Sequence, residues 1–226
     1  MKVKVNWSGG KDSTAAFHMN IVDGHECTGV CYIPYLTNTI PLICAEQLDF
    51  LMTTADRFIE MGAAVNFVHG LTYYDYVTHR ALKGKFKGRM FGFPCIARGM
   101  CGFKRDSKIK SLKSVMIECD YEDIGIAFDE TDRFSSLDDK HRSILVEKHF
   151  TENDALEYCK IFNLLSPTYS HQKRDGCALC PHASKEERER YFSDWQGAIE
   201  VVLELQEIVK RERPGQTPLR NYEWFI

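Results

Sequence analysis

Seven consecutive residues near the start of the chain, Ser8-Gly9-Gly10-Lys11-Asp12-Ser13-Thr14, combine the ingredients of an anion site. Paired glycines let the backbone come close to a ligand and take positive φ. The N–H groups of such a loop and of a following helix point at the anion, and the helix dipole favours negative charge there. Lys11 adds a point charge, and Ser8, Ser13 and Thr14 add hydroxyl donors. The Gly-x-x-x-x-Gly-Lys spacing of a Walker A loop is absent. The plain alternative is an ordinary turn capped by Ser and Asp.

Two further groups of residues could do chemistry. Asp129, Glu130 and Arg133 follow an apolar run, where they could bind ribose, adenine, Mg²⁺ or a phosphate. They could equally start a helix, with acids favouring its dipole and Arg133 pairing with them. Cys177-x-x-Cys180 is bracketed by Gly176 and Pro181, and Cys95 and Cys101 could complete a four-thiolate set. Two such pairs suit a 4Fe-4S cluster or Zn²⁺, while a lone Cys-x-x-Cys could be a redox dithiol. His171 and His182 flank the Cys177/Cys180 pair. Cys27, Cys31, Cys44, Cys119 and Cys159 read as core packing.

The elements that must position these residues follow from periodicity. Lys2–Asn6, Cys27–Tyr35, Ala63–His69 and Ile124–Phe128 read as strands. Ser13–Val22, Glu46–Met61, Tyr73–Leu82, Ser107–Ser114 and Thr151–Phe162 read as helices, with Lys83–Gly102 a glycine-rich loop between them. Ser184 and Glu187 form a capping-box pattern opening a helix that runs to about Arg211. Its later half is amphipathic through Ile199, Val202, Leu203, Leu205 and Ile208, which predicts docking on its own sheet or a homodimer interface. The β-α-β-α-β order predicts an α/β fold, a doubly wound, mostly parallel sheet with helices on both faces. Residues 1–150 would form the nucleotide-binding domain, and 151–226 a C-terminal cysteine-containing helical segment packed on it.

The Ser-Gly-Gly-Lys-Asp-Ser loop resembles the fingerprint of the PP-loop ATP pyrophosphatases, a HUP-type fold family, and of their phosphoadenosine phosphosulfate (PAPS) reductase-like branch. Cys101–Leu112, Gly125–Arg133, Leu165–Tyr169 and Arg174–Pro181 are similar to further segments of that branch. The resemblance spans roughly residues 3–195. It implies that Ser8 to Thr14 hold ATP or a sulfonucleotide, with Mg²⁺ sharing the charge and Asp12 one possible ligand. Many members cleave ATP between the α and β phosphates, place AMP on an acceptor oxygen, and let a nitrogen or sulfur nucleophile displace it. The loop donors and Lys11 would then stabilise the leaving group as charge grows. The chain departs from the assimilatory reductases in having no cysteine after Cys180, and Met100-Cys101 stands where cluster-bearing relatives have a Cys-Cys pair.

Composition narrows the classes. The 226 residues are 44% hydrophobic, enough for a sizeable core, and carry a net charge of −3. No apolar run approaches the ~20 residues of a membrane span, and Met1–Asn6 shows no signal-peptide pattern. A cytoplasmic protein is expected, in which nine cysteines point to metal or redox chemistry before disulfides. Arg80 to Lys113 holds eleven Lys or Arg against the single acid Asp106, a balance of +10 that leaves −13 elsewhere. Within it, Lys83-Gly-Lys-Phe-Lys-Gly-Arg89 interleaves cations with Phe86, as a loop contacting tRNA or DNA, or a lid over a nucleotide, would. Three readings stand: an AMP-forming activating enzyme coupled to sulfur transfer from a thiol donor, a sulfonucleotide reductase, and a non-catalytic nucleotide or nucleic-acid binder.

Overall fold

The computed structural model describes residues 1–94, 96–97, 100–135, 137–172 and 176–214, with backbone alone at 96, 97 and 100. In chain order the elements are β1 (Lys2–Trp7), α1 (Lys11–Val22), β2 (Glu26–Tyr32), α2 (Ala45–Glu60), β3 (Ala64–Val68), α3 (Tyr73–Thr78), β4 (Ile96–Ala97), β5 (Met100–Cys101) and α4 (Lys110–Ser114). They continue with β6 (Tyr121–Ile124), α5 (Thr131–Phe134), β7 (His141–Arg142), α6 (Ile144–Glu147), α7 (Glu152–Ile161), α8 (Lys185–Asp194) and α9 (Ala198–Glu212). These elements form two compact units that interleave along the chain. The first takes Met1–Tyr32, Glu46–Val68 and Ser114–Asp175, the second Ile33–Ala45, His69–Lys113 and Gly176–Ile226. The sequence reading instead cut the chain once, after residue 150.

The first unit is an α/β layer built on a five-stranded sheet in the order β3-β2-β1-β6-β7, with every neighbouring pair parallel. β1 lies at the centre and is buried on both faces, as parallel strands covered by helices are. Trp7 at its end packs edge-on against Phe17 of α1 and Phe58 of α2, with ring centroids 5.9 and 5.6 Å apart. Gly29 of β2 has no side chain because the Phe17 ring occupies that space. Lys4, also buried, is neutralised by Glu122 at 3.0 Å and donates to the Val115 carbonyl.

β6 occupies Tyr121–Ile124, not the predicted Ile124–Phe128. Beyond Ile124 the chain turns at once, the Ile126 N–H donating back to the Ile124 carbonyl. The misplacement has a physical source: Glu122 and Asp123 spoil the apolar run, yet both find hydrogen-bond donors inside the layer. The buried Asp123 carboxylate accepts from the Asn20 amide at 2.8 Å and the Ile144 N–H at 3.2 Å. β7, two residues long, carries too little pattern to be predicted.

The second unit is mostly helical. α3 packs against α9, around a core of Leu36, Leu42, Tyr73, Phe103, Leu179 and Tyr191. Irregular segments are tied in by the Tyr191 hydroxyl on the Pro41 carbonyl, the Trp195 indole on the Ile43 carbonyl and the Ala178 N–H on the Leu42 carbonyl. The expected long helix from Ser184 begins with its capping box but is two helices, broken at Gly197 in the left-handed region, φ 83°. The apolar face of α9 turns Val202, Leu205 and Val209 into this unit's own core, which is not a sheet face as predicted. A π-helical turn, Lys104–Ile109, precedes α4 and anchors its Ser107 hydroxyl on the Leu71 carbonyl at 2.6 Å. No helix among the described residues is long and apolar enough to cross a membrane.

Burial raises the Asp123 carboxyl to about 6, although the Asn20 and Ile144 donors pull it down. The folded state therefore holds that proton more tightly than the unfolded chain does. The stability it contributes is full below the ordinary value of 3.8 and is lost as pH rises through about 6. Asp123→Asn keeps an oxygen for both donors and cannot ionise. Above pH 6 it is expected to exceed the wild type by on the order of 2 kcal/mol. Urea titrations across this range would show the difference between the two chains vanishing toward low pH.

Candidate functional site

β1 delivers the Ser8–Gly10 loop to the start of α1, and local hydrogen bonds fix its shape. The Trp7 indole donates to the Thr14 hydroxyl at 3.0 Å. The Ser13 hydroxyl accepts the Ser8 N–H at 3.1 Å and donates to the Gly10 carbonyl at 3.0 Å. Thr14 is fully buried, so it holds the loop instead of facing a ligand. Gly9 takes φ 79°, and a Cβ there would also meet Leu51 at 2.6 Å. The N–H groups of Gly9, Gly10, Asp12 and Ser13 have no hydrogen-bond partner among the described residues. Four unspent donors at the N-terminus of a twelve-residue helix are the arrangement that attracts an anion.

The loop lies where the sheet's strand order reverses, between β1 and β6. In open α/β sheets ligands bind at such switch points, outside the carboxyl ends of the strands. Gly125, just past β6, faces the start of α1 so closely that a Cβ would lie 2.5 Å from the Ser13 N and Cα. Sequence reasoning quoted Gly125 within a motif and gave it no role. It also missed Tyr169, on a 3₁₀ turn at Pro167–Ser170, whose hydroxyl accepts the Lys11 N–H at 3.2 Å. No local signal announces that contact, which joins residues far apart in the chain.

Charge concentrates at the same place. Lys11 Nζ sits 2.8 Å from both Asp12 oxygens and 3.8 Å from Glu152. Burial raises the Asp12 carboxyl; Lys11 opposes the rise, and the nearby Glu152 and Glu130 charges add to it. Asp12 and Glu152 thus flank Lys11, and Glu130, itself paired with Arg133, adds negative charge at Asp12. Asp12 fits Mg²⁺ as a single carboxylate ligand, since this ion usually takes one or two carboxylates plus substrate phosphates.

Asp129, Glu130 and Arg133 have local partners. Glu130 pairs with Arg133 and accepts the Ala127 N–H at 3.2 Å, while Asp129 accepts the Glu152 N–H at 3.0 Å, ahead of α7. These are the contacts of the helix-start alternative. The Glu130 charge reaches the loop through Asp12. Cys159 on α7 donates its thiol to the Lys11 carbonyl at 3.3 Å, and burial pushes that thiol up to about 12.

The metal-site cysteines belong to the second unit. Cys95 lies outside the described residues. Cys101 and Cys180 are close enough to Cys177 for their charges to add to the burial that pushes the Cys177 thiol up to about 12, while Lys108 opposes it. Among the described residues no three His, Cys, Asp or Glu side chains converge closely enough to hold a metal ion. Cys101, Cys177 and Cys180 therefore do not fit zinc or a cluster by themselves. Cys27, Cys31, Cys44 and Cys159 are buried, and Cys119 is half-buried.

No family model and no curated protein sequence matches this chain. The geometry of the loop rests on the close approach at Gly125. Gly125→Ala must push α1 off β6, because its new methyl meets backbone that cannot rotate away. An overpacking cost of about 1–3 kcal/mol is expected in urea unfolding. A variant as stable as the wild type would show that the approach is not tight.

Proposed function

We propose that the chain is a cytoplasmic, ATP-dependent, AMP-forming enzyme whose first unit is a doubly wound fold of the PP-loop type, resembling the PAPS reductase-like branch. The observation that carries this reading is the set of four free N–H groups at Gly9, Gly10, Asp12 and Ser13, beside the Lys11 ammonium at the switch point. They suit the terminal phosphates of a nucleotide.

An acceptor oxygen would attack the α-phosphorus, and the bond from that phosphorus to the bridging oxygen would break. The electron pair leaves with pyrophosphate. The free N–H groups and Lys11 would bind the growing charge on that leaving group. Asp12 would hold Mg²⁺, which neutralises charge on the phosphates when bound. Displacement of AMP from the acceptor by a sulfur nucleophile would complete a sulfur transfer.

The reductase reading needs a thiolate in the Cys177/Cys180 pair. Burial works against Cys177 as that thiolate, pushing its thiol up to about 12.

Calorimetric titration with Mg-ATP tests the proposal. The wild type is expected to bind, and Lys11→Met to bind about 10–100-fold more weakly, the worth of one charge-assisted contact. Equal affinity in both chains, or no binding by the wild type, would sink the reading. Given its acceptor, the wild type should release pyrophosphate and AMP in equal amounts.

A further inference from the structure

The second unit contains a cavity of about 500 Å³ that the ATP chemistry does not use. This is within the range of small-molecule sites. Buried Tyr76, Met90 and Phe93 line it, together with the more exposed Phe86, Arg89 and Arg105. Phe86 is 51% exposed while lining the cavity.

Its presentation is built into the backbone. Phe86 ends a 3₁₀ turn, Gly84–Phe86, flanked by Gly84 and Gly88 at φ 74° and 80°. The Gly88 N–H donates to the Ala81 carbonyl at 2.7 Å, and the Ala81 N–H to the Arg89 carbonyl at 2.9 Å. Arg80 braces the base of the loop, donating to the Gly88 carbonyl at 3.0 Å and to Glu212 at 2.6 Å. The loop is therefore a fixed platform.

The charges around the ring are of one sign. Lys85 Nζ lies 5.0 Å and Arg89 Cζ 5.5 Å from the Phe86 centroid. Among the described residues, Lys83, Lys85, Lys87 and Arg89 have no carboxylate within ion-pair distance. Arg105 is held in place by Asp106 at 2.6 Å. The occupant must then bring a flat ring to stack on Phe86 and an anion for the guanidinium and ammonium groups. An acidic peptide supplies charge without the ring. Lys83, Lys85 and Lys87 add three more cations to the same loop, which suits successive phosphates of a strand better than one phosphate.

We propose that this cavity and the Lys83–Arg89 loop form a nucleobase–phosphate site that takes one unit of a single-stranded nucleic acid, with Phe86 stacking on the base and Arg89 holding the phosphate. The site is independent of nucleotide binding at the Lys11 loop.

The test is fluorescence anisotropy of the full chain with a labelled single-stranded oligonucleotide at several salt concentrations. Phe86→Ala is expected to weaken binding about tenfold, the loss of one stacked base. Arg89→Gln should lower the slope of log affinity against log salt by about one. Both side chains are exposed, so neither change threatens folding. Uridine monophosphate that competes only at far higher concentration confirms a strand as the source. Competition at similar concentration keeps the base–phosphate site and assigns it to free nucleotides. Binding that Phe86→Ala leaves unchanged, with polyglutamate displacing the strand equally well, would reduce the surface to charge alone and overturn the proposal. Lys11→Met should bind the strand as the wild type does, so failure at either site is read separately.

Discussion

At residue 125 there is no room for a side chain, and the first unit is arranged around that absence. The end of β6 comes within van der Waals distance of the backbone that opens α1. On its other flank α1 is seated by Phe17 in the space above Gly29. The helix is thus held against both neighbours of β1, and the N–H groups at its start are aimed by the close backbone approach at Gly125 together with the Tyr169 hydroxyl that accepts from Lys11. Side chains that could have capped them are spent elsewhere: Ser13 on Ser8 and Gly10, and Thr14 on Trp7. A helix start left uncapped in this way is costly unless water or a ligand supplies acceptors.

Electrostatics makes the same point with opposite sign. Lys11 folds onto Asp12, and Glu130 and Glu152 add negative charge there. A bare phosphate chain entering this neighbourhood would meet attraction from amides and repulsion from carboxylates. A nucleotide that arrives with its divalent cation meets attraction from both. In the function we propose, the arrangement would favour the metal complex without needing an all-protein metal cage.

Much of this was legible in the residues themselves. The strand, paired glycines and helix of residues 2–22 follow from alternation, turn chemistry and spacing, and the structure holds them within two residues of the expected bounds. β2, α2 and β3 were readable for the same reason. What was hidden is what depends on tertiary context. β6 carries Glu122 and Asp123 into the layer because Lys4, Asn6 and Asn20 donate hydrogen bonds to them, and no one-dimensional pattern reveals a partner a hundred residues away. Gly197 breaks an otherwise continuous helical pattern by adopting a backbone that only its own lack of a Cβ makes cheap. The roles of Tyr169 and Gly125 were invisible because each is defined by what it touches.

The interleaving of the two units has a consequence for how the polypeptide matures. During synthesis the first unit has all five strands once Arg142 has emerged, but α7, which packs on α1, comes afterwards. The second unit waits longer still. Its early segment, with Leu36 and Leu42, meets no finished core until Val202, Leu205 and Val209 leave the ribosome. A nascent chain therefore carries exposed apolar residues of one unit while the other is already organised. That interval is where chaperone dependence and aggregation would concentrate.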